Sequence, residues 1–577
     1  MNKTAYLTCK VCYQELPMYE DGVTTNSTYF LQLSSQTRVI TLDMILTALK
    51  SRTIPYRIDL KTERVKLEFV HWSRVLDMMQ ECEWELHQDS TPLFVLRLLD
   101  YYRSKRKEVS IEAVRERVTP LVFDCLRPYQ QTLVKIAVER NDVYIADEMG
   151  TGKTFTALAI ARYWNEATVI ITMPNIMYNW RDEIEKRMDW DMESVAVCKS
   201  SAKVMTLNKA DIKVMIVPYG IISNEDVRSV IKGWAKMMIL DECHSVKNLS
   251  AARTKAVLNV SPHMKHKAIL SGSPFEKSHE LYSQMKVLDP NNVPQFFHYN
   301  TQRGIVSHDD FASRYCKPAR VQFKGSWPQW EFKGNENQEE LKILVAQFMV
   351  RRLKRDVCTQ LPAKIRHRHD LPEPIGVNIM EILKAMSAGV LIDRSKYVEA
   401  IEMTCEYKLP FVLDHVKKHL SDRQQKHVVF FHHMKMKEAL MNLCEELQLE
   451  YIMIDGSVGA EKRHNLQGRF QKEDQCRVAL LSIKASGTGT NFTAASNVIM
   501  TEILPTAADM FQAEDRCHRI GQESTVNVTY LVLPKSVDET HVNLIIRKFT
   551  RSSAVMDQEK QTVSLKRKRE IITTVSE

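Results

Sequence analysis

No apolar run in this 577-residue chain approaches the ~20 residues that a membrane-crossing helix needs, so no membrane partner is expected. The opening residues, MNKTAYLTCKVCYQ, hold no apolar signal core, which points to an intracellular protein, with the nucleus favoured and the cytoplasm as the alternative. Glycine and proline are scarce, at 17 and 19, and neither an internal repeat nor a long low-complexity linker is present; collagen-like and disordered classes are excluded. The twelve cysteines are scattered, as free thiols are and a disulfide framework is not. Only Cys9 and Cys12 form a CxxC, and the nearest further ligands, His71, Cys82 and His87, lack a zinc spacing, so a zinc knuckle is the weaker reading of that pair.

What is present describes a globular protein of two to four domains, 44% hydrophobic and 26% charged. The net charge of +9 is spread along the chain and suits a polyanionic partner. Its densest clusters are RRLKRD at 351–356 and KRKR at 566–569; the second reads equally as a solvated tail or as a nuclear-import or nucleic-acid patch.

The stretch ADEMGTGKT at 146–154 follows a short β-branched and aromatic run, DVYIA, and precedes FTALAIARYW, which has helical spacing. Strand, glycine loop and helix are the context in which this motif binds phosphate. Backbone N–H groups from Gly150, Thr151, Gly152, Lys153 and Thr154 would wrap the β-phosphate of ATP at the helix N-terminus. Lys153 would reach the β- and γ-phosphates, and Thr154 would ligate Mg²⁺. Asp147, with Glu148 and Met149 beside it, stands where the general pattern has glycine, so a partner site is needed.

KMMILDECHSVKN provides one. An apolar strand delivers Asp241 and Glu242, adjacent carboxylates that are costly there unless a cation or a proton transfer uses them. Asp241 would hold Mg²⁺, Glu242 would orient the water attacking the γ-phosphate, and His244 would carry a signal onward. In CLRPYQ, Gln130 stands just ahead of a helix, placed to read the adenine edge, while AILSGSP ends another strand in a turn. FQAEDRCHRIGQ sets Arg516 and Arg519 three apart on one helix face, where guanidinium groups from a second domain would neutralise γ-phosphate charge. VVFFHHM, EYIMIDGS, RVALLSI and NVIMTEI read as strands of that second parallel α/β domain.

In order, LRPYQ, DEMGTGKT, PNIMYNW, DECH, LSGSP, RRLKRDV, SIKASGTGTNF and QAEDRCHRIGQ resemble the Swi/Snf-type DNA-dependent ATPases of helicase superfamily 2, over roughly residues 120–545. FASRYC, MVRRLKRDVCTQLPAK and VVFFHHMKM look most like the HepA-related annealing helicases. In that family Asp is common at the loop's first position. The resemblance implies two RecA-like lobes, ATP and Mg²⁺ as cofactors, coupling through His244, Ser273 and Gln512, and DNA-backbone contacts at Asn175 and at Ser486, Gly487 and Thr488. Thr490, and the lack of a tryptophan in ILPTAADM, depart from the pattern and bear on how the second lobe couples hydrolysis to DNA.

The expected fold is thus α/β, with two RecA-like parallel-sheet lobes, helical insertions and a small N-terminal α+β module. Boundaries are set at 1–118 for the module, 119–275 for the ATP-binding lobe, 276–399 for a mostly helical insertion and linker, 400–535 for the second lobe and 536–577 for a C-terminal brace and basic tail. Within the module, residues 40–79 read as helix, hairpin, helix, a loose likeness to the accessory DNA-binding module of annealing helicases through Tyr56, Asp59 and Trp72, or simply a cap on the first lobe. WPQWEFKGNENQEE, at 327–340, reads as an exposed loop. An ATP-dependent translocase on double-stranded DNA that remodels or reanneals DNA or displaces bound protein is the leading function, with double-stranded or forked DNA as the partner and chromatin or transcription or replication machinery left open. A strand-separating DNA or RNA helicase and a nucleotide-binding regulator without turnover are its alternatives.

Overall fold

The computed structural model describes residues 5–14, 28–35, 42–54, 56–59, 64–68, 72–82, 84–86, 93–275, 277–290, 308–316, 318–321, 329–332, 336–373, 394–421, 424–486 and 491–556. Gly487, Thr488, Thr490 and the KRKR cluster lie outside them, as does the side chain of Ser486. The chain packs into two compact units, Met1–Tyr144 with Lys277–Val350 and Ile145–Glu276 with Arg351–Glu577.

The first unit opens with a five-stranded sheet in the order Arg57–Asp59, Arg64–Glu68, Thr28–Ser35, Ala5–Gln14, Trp84–Leu86. Its first two strands are the hairpin read from sequence, flanked by the helices Leu42–Ser51 and Trp72–Glu81. Cys9 and Cys12 fall within the continuous strand Ala5–Gln14, paired with Leu33 and Phe30, not on the turn that a zinc knuckle requires. The helix Pro128–Arg140 starts on Pro128, whose fixed φ and missing N–H suit a first helical position. The segment expected to be mostly helical holds the helices Leu281–Leu288, His308–Tyr315 and Gln338–Val345, but also an antiparallel pair, Pro318–Val321 with Gln329–Phe332. The supposed loop at 327–340 is therefore partly strand and, from Gln338, helix. Arg314 anchors it, donating bidentately to Glu340 at 2.6 and 2.5 Å.

The second unit contains two parallel sheets. One runs His266–Leu270, Met237–Leu240, Thr168–Thr172, Val214–Pro218, Val195–Val197; its middle strands are continuous apolar runs because helices cover both faces. The other runs Lys364–Asp370, Val526–Val532, Asn497–Met500, His427–Phe431, Val478–Ser482, Tyr451–Ile454, all parallel, over an apolar core that includes Phe430, Phe470, Phe492 and Tyr530. Lys364–Asp370 comes from the segment read as linker, and the helix Arg394–Leu420 runs across the boundary placed at 400. Among the described residues no helix is long and apolar enough to cross a membrane.

Candidate active site

The strand Asp142–Ile145 leads into the loop 146–152, and the helix Lys153–Trp164 follows it. Gly150 and Gly152 hold φ of +80° and +81°, a region where a side chain is strained, and Gly152 caps the helix start. The loop therefore closes on the positive end of a helix dipole, which collects phosphate oxygens. Lys153 Nζ donates to the carbonyl oxygens of Asp147 (2.9 Å) and Glu148 (3.0 Å), and burial pulls its pKa down against the pull of Glu242, Asp147 and Asp241.

Asp147 is buried, and its carboxylate accepts from Arg352 Nε (3.1 Å) and Nη2 (2.5 Å), so the residue supports the loop and does not face a phosphate. The clasp extends further. Arg351 Nη1 donates to the Ala146 carbonyl (2.8 Å), Glu148 N–H to the Arg352 carbonyl (2.9 Å), and Lys354 N–H to Glu148 Oε2 (2.8 Å). RRLKRD, read as a basic patch for a polyanion, thus spends Arg351, Arg352 and Lys354 on the loop. Thr151 is buried with its hydroxyl on the Glu148 carbonyl (2.9 Å). Met149 packs on Gly272, where an added Cβ would stand 2.4 Å from its Cγ and 3.4 Å from Lys153 Nζ.

At the end of Met237–Leu240 the carboxylate of Asp241 is fixed on both oxygens. Oδ2 accepts from Trp180 Nε1 (2.7 Å) and Thr172 Oγ1 (3.0 Å), and Oδ1 from Glu242 N–H (2.9 Å). Burial, with the neighbouring Glu242, raises its pKa to about 6. Glu242 holds a left-handed backbone (φ 49°, ψ 51°), uncommon for a residue with a side chain, which turns its carboxylate toward His244: Oε2 lies 3.3 Å from Nδ1. The same Nδ1 is 3.1 Å from Ser271 Oγ, which accepts from Ser273 N–H (3.2 Å), and Ser271 N–H donates to the Ile145 carbonyl (3.1 Å). His244 is thereby joined to the strand that carries the loop, through Ser271 more directly than through Ser273.

Arg516 and Arg519 meet this cluster. They do not share a helix face: the helix Ala507–Glu514 ends first, and both arginines lie in the turns beyond it. Arg516 is 1% exposed. Burial lowers the pKa of both arginines, Arg516 further because Arg519 is beside it, and Glu242 pulls both upward. A Cβ at Gly150 would stand 3.0 Å from Arg519 Cγ and 3.1 Å from Lys354 Cε, so the loop and the arginine turn are in van der Waals contact. A buried ionic network seats the turn. Asp515 pairs with Lys354 and Lys364 at 2.8 Å each, Glu514 with Arg366 (2.6 Å) and Lys364 (2.9 Å), and Lys354 Nζ also donates to the His518 carbonyl (2.9 Å).

A family model described as the SNF2-related domain matches residues 79–372, and one described as the helicase conserved C-terminal domain matches residues 408–521. The chain belongs to the SNF2-related family. Among its relatives, it is 32% identical over 457 residues to the DNA annealing helicase and endonuclease ZRANB3 of Homo sapiens, covering 76% of this chain and 41% of that protein. It is 31% identical over 431 residues to the SWI/SNF-related matrix-associated actin-dependent regulator of chromatin subfamily A-like protein 1 of Xenopus laevis, covering 72% and 42%. The homologue of that regulator in Caenorhabditis elegans is 30% identical over 449 residues, covering 74% and 61%. The chain spans about two fifths of the length of the first two.

In this SNF2-related chain the remaining expected residues are placed as follows. Gln130 is not ahead of a helix but at its third residue, buried, with Oε1 accepting from Arg127 N–H (2.9 Å), a role in the helix cap. Gln512 is buried in Ala507–Glu514, and Asn175 is half-buried in the short turn Pro174–Ile176. Thr154 stands on the first turn of Lys153–Trp164. Trp180, Ser271, Gly272, Arg352 and Lys354 were not singled out, although each lies within a motif quoted above; what marks them is a partner distant in sequence.

Proposed function

We propose that the chain is an ATP-driven translocase on double-stranded DNA that remodels or reanneals it. One observation carries the reading: Arg519, from the second lobe, lies in van der Waals contact with Gly150 of the glycine loop, and the charge of Glu242 in the first lobe acts on both Arg519 and the buried Arg516. That contact is what a cross-lobe phosphoryl-transfer site needs and a passive nucleotide sensor does not. The donor set fits ATP with Mg²⁺. The left-handed glycines and the helix start at Lys153 suit phosphates, while Thr154 and the fixed carboxylate of Asp241 would hold the cation, which supplies charge neutralisation at the β- and γ-oxygens.

The residues then divide the work. Lys153 exchanges its two carbonyl partners for phosphate oxygens. Glu242, held by its left-handed backbone, orients the attacking water. Arg516 and Arg519, presented by turns pinned through Asp515 to Lys354, offset charge that develops only in the transition state. His244 and Ser271 link Glu242 to the strand bearing the loop. If each lobe grips phosphates, through Asn175 on one side and 486–488 on the other, each cycle advances one grip past the other. Binding of that kind reads backbone, not sequence, and weakens steeply with salt. The relatives' names, annealing helicase and chromatin regulator, favour DNA in a nuclear setting.

The test compares ATPase stimulation by duplex DNA, forked DNA, single strands and RNA. Strongest stimulation by duplex or forked DNA is expected. Stimulation by single strands alone with unwinding favours the strand-separating reading, and absence of turnover with every nucleic acid refutes the motor.

A further inference from the structure

In the second lobe a cavity of about 210 Å³ opens where the chain leaves two neighbouring strands, His427–Phe431 and Asn497–Met500. The connections that leave these two strands run in opposite directions: from His427–Phe431 the chain goes to the edge strand Tyr451–Ile454 and comes back to Val478–Ser482 between them, whereas from Asn497–Met500 it goes on to Val526–Val532 on the other side. In open parallel sheets, ligands bind outside the carboxyl ends of the strands at that reversal. The residues just past the two ends are His433 and Glu502, and Cys405 reaches the same cavity from the helix Arg394–Leu420.

One ligand atom of each of these three side chains lies within 4.8 Å of the others. We propose that Cys405, His433 and Glu502 form a transition-metal site, and that its ion is Zn²⁺. The donor set argues for it. Thiolate, imidazole and carboxylate together suit a borderline-soft ion and not Mg²⁺ or Ca²⁺, and three protein donors beside an open cavity are the arrangement of a four-coordinate site whose last position takes water or a ligand. The scaffold argues for it as well. Glu502 Oε2 accepts from the backbone N–H groups of His432 (2.6 Å) and His433 (3.0 Å), which fixes the carboxylate as supporting contacts fix a metal ligand, while Oε1 faces His433. His433 is about a quarter exposed and can swing to admit an ion, whereas Cys405 and Glu502 are buried. Of the cations lining the cavity, Lys408 has its charge offset by Asp538 at 2.7 Å, and Lys484 is exposed to solvent. The bound ion would pin Arg394–Leu420 to the ends of the two strands.

The test uses the full chain stripped with chelator and titrated with Co²⁺, then with Zn²⁺ in competition. One equivalent of Co²⁺ is expected to give tetrahedral d–d bands with a thiolate-to-cobalt charge-transfer band, displaced by Zn²⁺. The charge-transfer band should vanish in Cys405→Ser while DNA-stimulated turnover is kept as a check on folding, and it should survive in a chain with Cys9 and Cys12 changed to serine. X-ray absorption on that last, zinc-loaded chain needs no change at Cys405 and should show one sulfur at roughly 2.3 Å with the remaining ligands nitrogen or oxygen. Absence of a stoichiometric band, its persistence in Cys405→Ser, or a zinc shell with no sulfur or with several overturns the site and leaves a hydrogen-bonded trio.

Discussion

Replacing Gly150 by alanine separates the loop's own conformation from its contact with the second lobe. At φ +80° an alanine costs ~1–2 kcal/mol whatever surrounds it. That strain is internal to the loop and should weaken nucleotide binding by about 5- to 30-fold. The added Cβ also meets Arg519 Cγ at 3.0 Å and Arg519 Cα at 3.3 Å; the second is backbone and cannot step aside as the end of a flexible side chain would. Overpacking of this kind costs ~1–3 kcal/mol. Because the overpacked contact joins the loop to the arginine turn, its cost falls on assembly of the transition-state site, lowering turnover by a further ~5- to 150-fold at saturating nucleotide and DNA. Fluorescent-nucleotide affinity and DNA-stimulated ATPase read the two terms apart. In an Arg519→Ala background the Cγ part of the second term should disappear while the contact with the Arg519 Cα remains, so the double variant should lose clearly less than the product of the two single losses. Full turnover of Gly150→Ala at saturation, or losses that simply multiply in the double variant, would refute the contact between loop and arginine turn.

Lys153→Ala should abolish hydrolysis, whereas Glu242→Gln should keep nucleotide affinity and accumulate the closed state, as equilibrium binding and single-turnover assays will distinguish. Arg519→Ala should leave nucleotide binding nearly intact and cut DNA-stimulated turnover by ~10³, with Arg519→Lys a poor rescue because a point charge does not reproduce the planar fork. Glu514 carries a pH prediction: burial opposes its ionisation, yet Arg366 and Lys364 hold its pKa at about 2, below the ordinary 4.5. A depressed carboxyl stabilises the fold above its unfolded pKa, so about 3 kcal/mol should be lost as pH falls from 4.5 toward 2. Glu514→Gln should lower stability at neutral pH and flatten that acid limb in denaturant melts.

How far the sequence discloses this arrangement depends on whether a residue's partners are local. The loop, its strand and its helix were legible because period, glycines and the Lys-Thr pair are contiguous, and Asp241 and Glu242 because two carboxylates after an apolar strand have few other uses. Arg516 and Arg519 were placed on a helix because a spacing of three fits a helix as well as successive turns. What ends the helix at Glu514 is tertiary: Glu514 and Asp515 are drawn into ion pairs with Lys364, Arg366 and Lys354. RRLKRD was counted with the basic excess that suits a polyanion because composition counts charges and not the carboxylates and carbonyls they meet. The strand Lys364–Asp370 escaped notice for a related reason. KIRHRHD has almost no apolar content and only Arg366 is buried, so its membership of the sheet rests on backbone pairing to Val526–Val532 and on the Arg366 ion pair. Trp180 belongs to a quoted motif, but its hydrogen bond to Asp241 links the helix Met177–Arg187 to a strand end 61 residues further on.

These misses share a location, and the location has a mechanical meaning. Lys354 touches Glu148 through its backbone N–H, lies against Gly150 through its side-chain stem, and ends on Asp515 and the His518 carbonyl. One buried cation therefore has the phosphate loop at one end and the arginine turn at the other, with no solvent to screen it. A change at the loop that shifts Lys354 must be answered at Asp515, because leaving either charge buried and unpaired costs several kcal/mol, more than the ~1 kcal/mol of an exposed pair. The loop and the arginine turn share this one side chain, so a shift of the loop on nucleotide binding would be passed to the turn that the other lobe presents. The motor proposed above needs such a link between loop and arginines, and the residue that supplies it is one that the sequence counted only as basic charge.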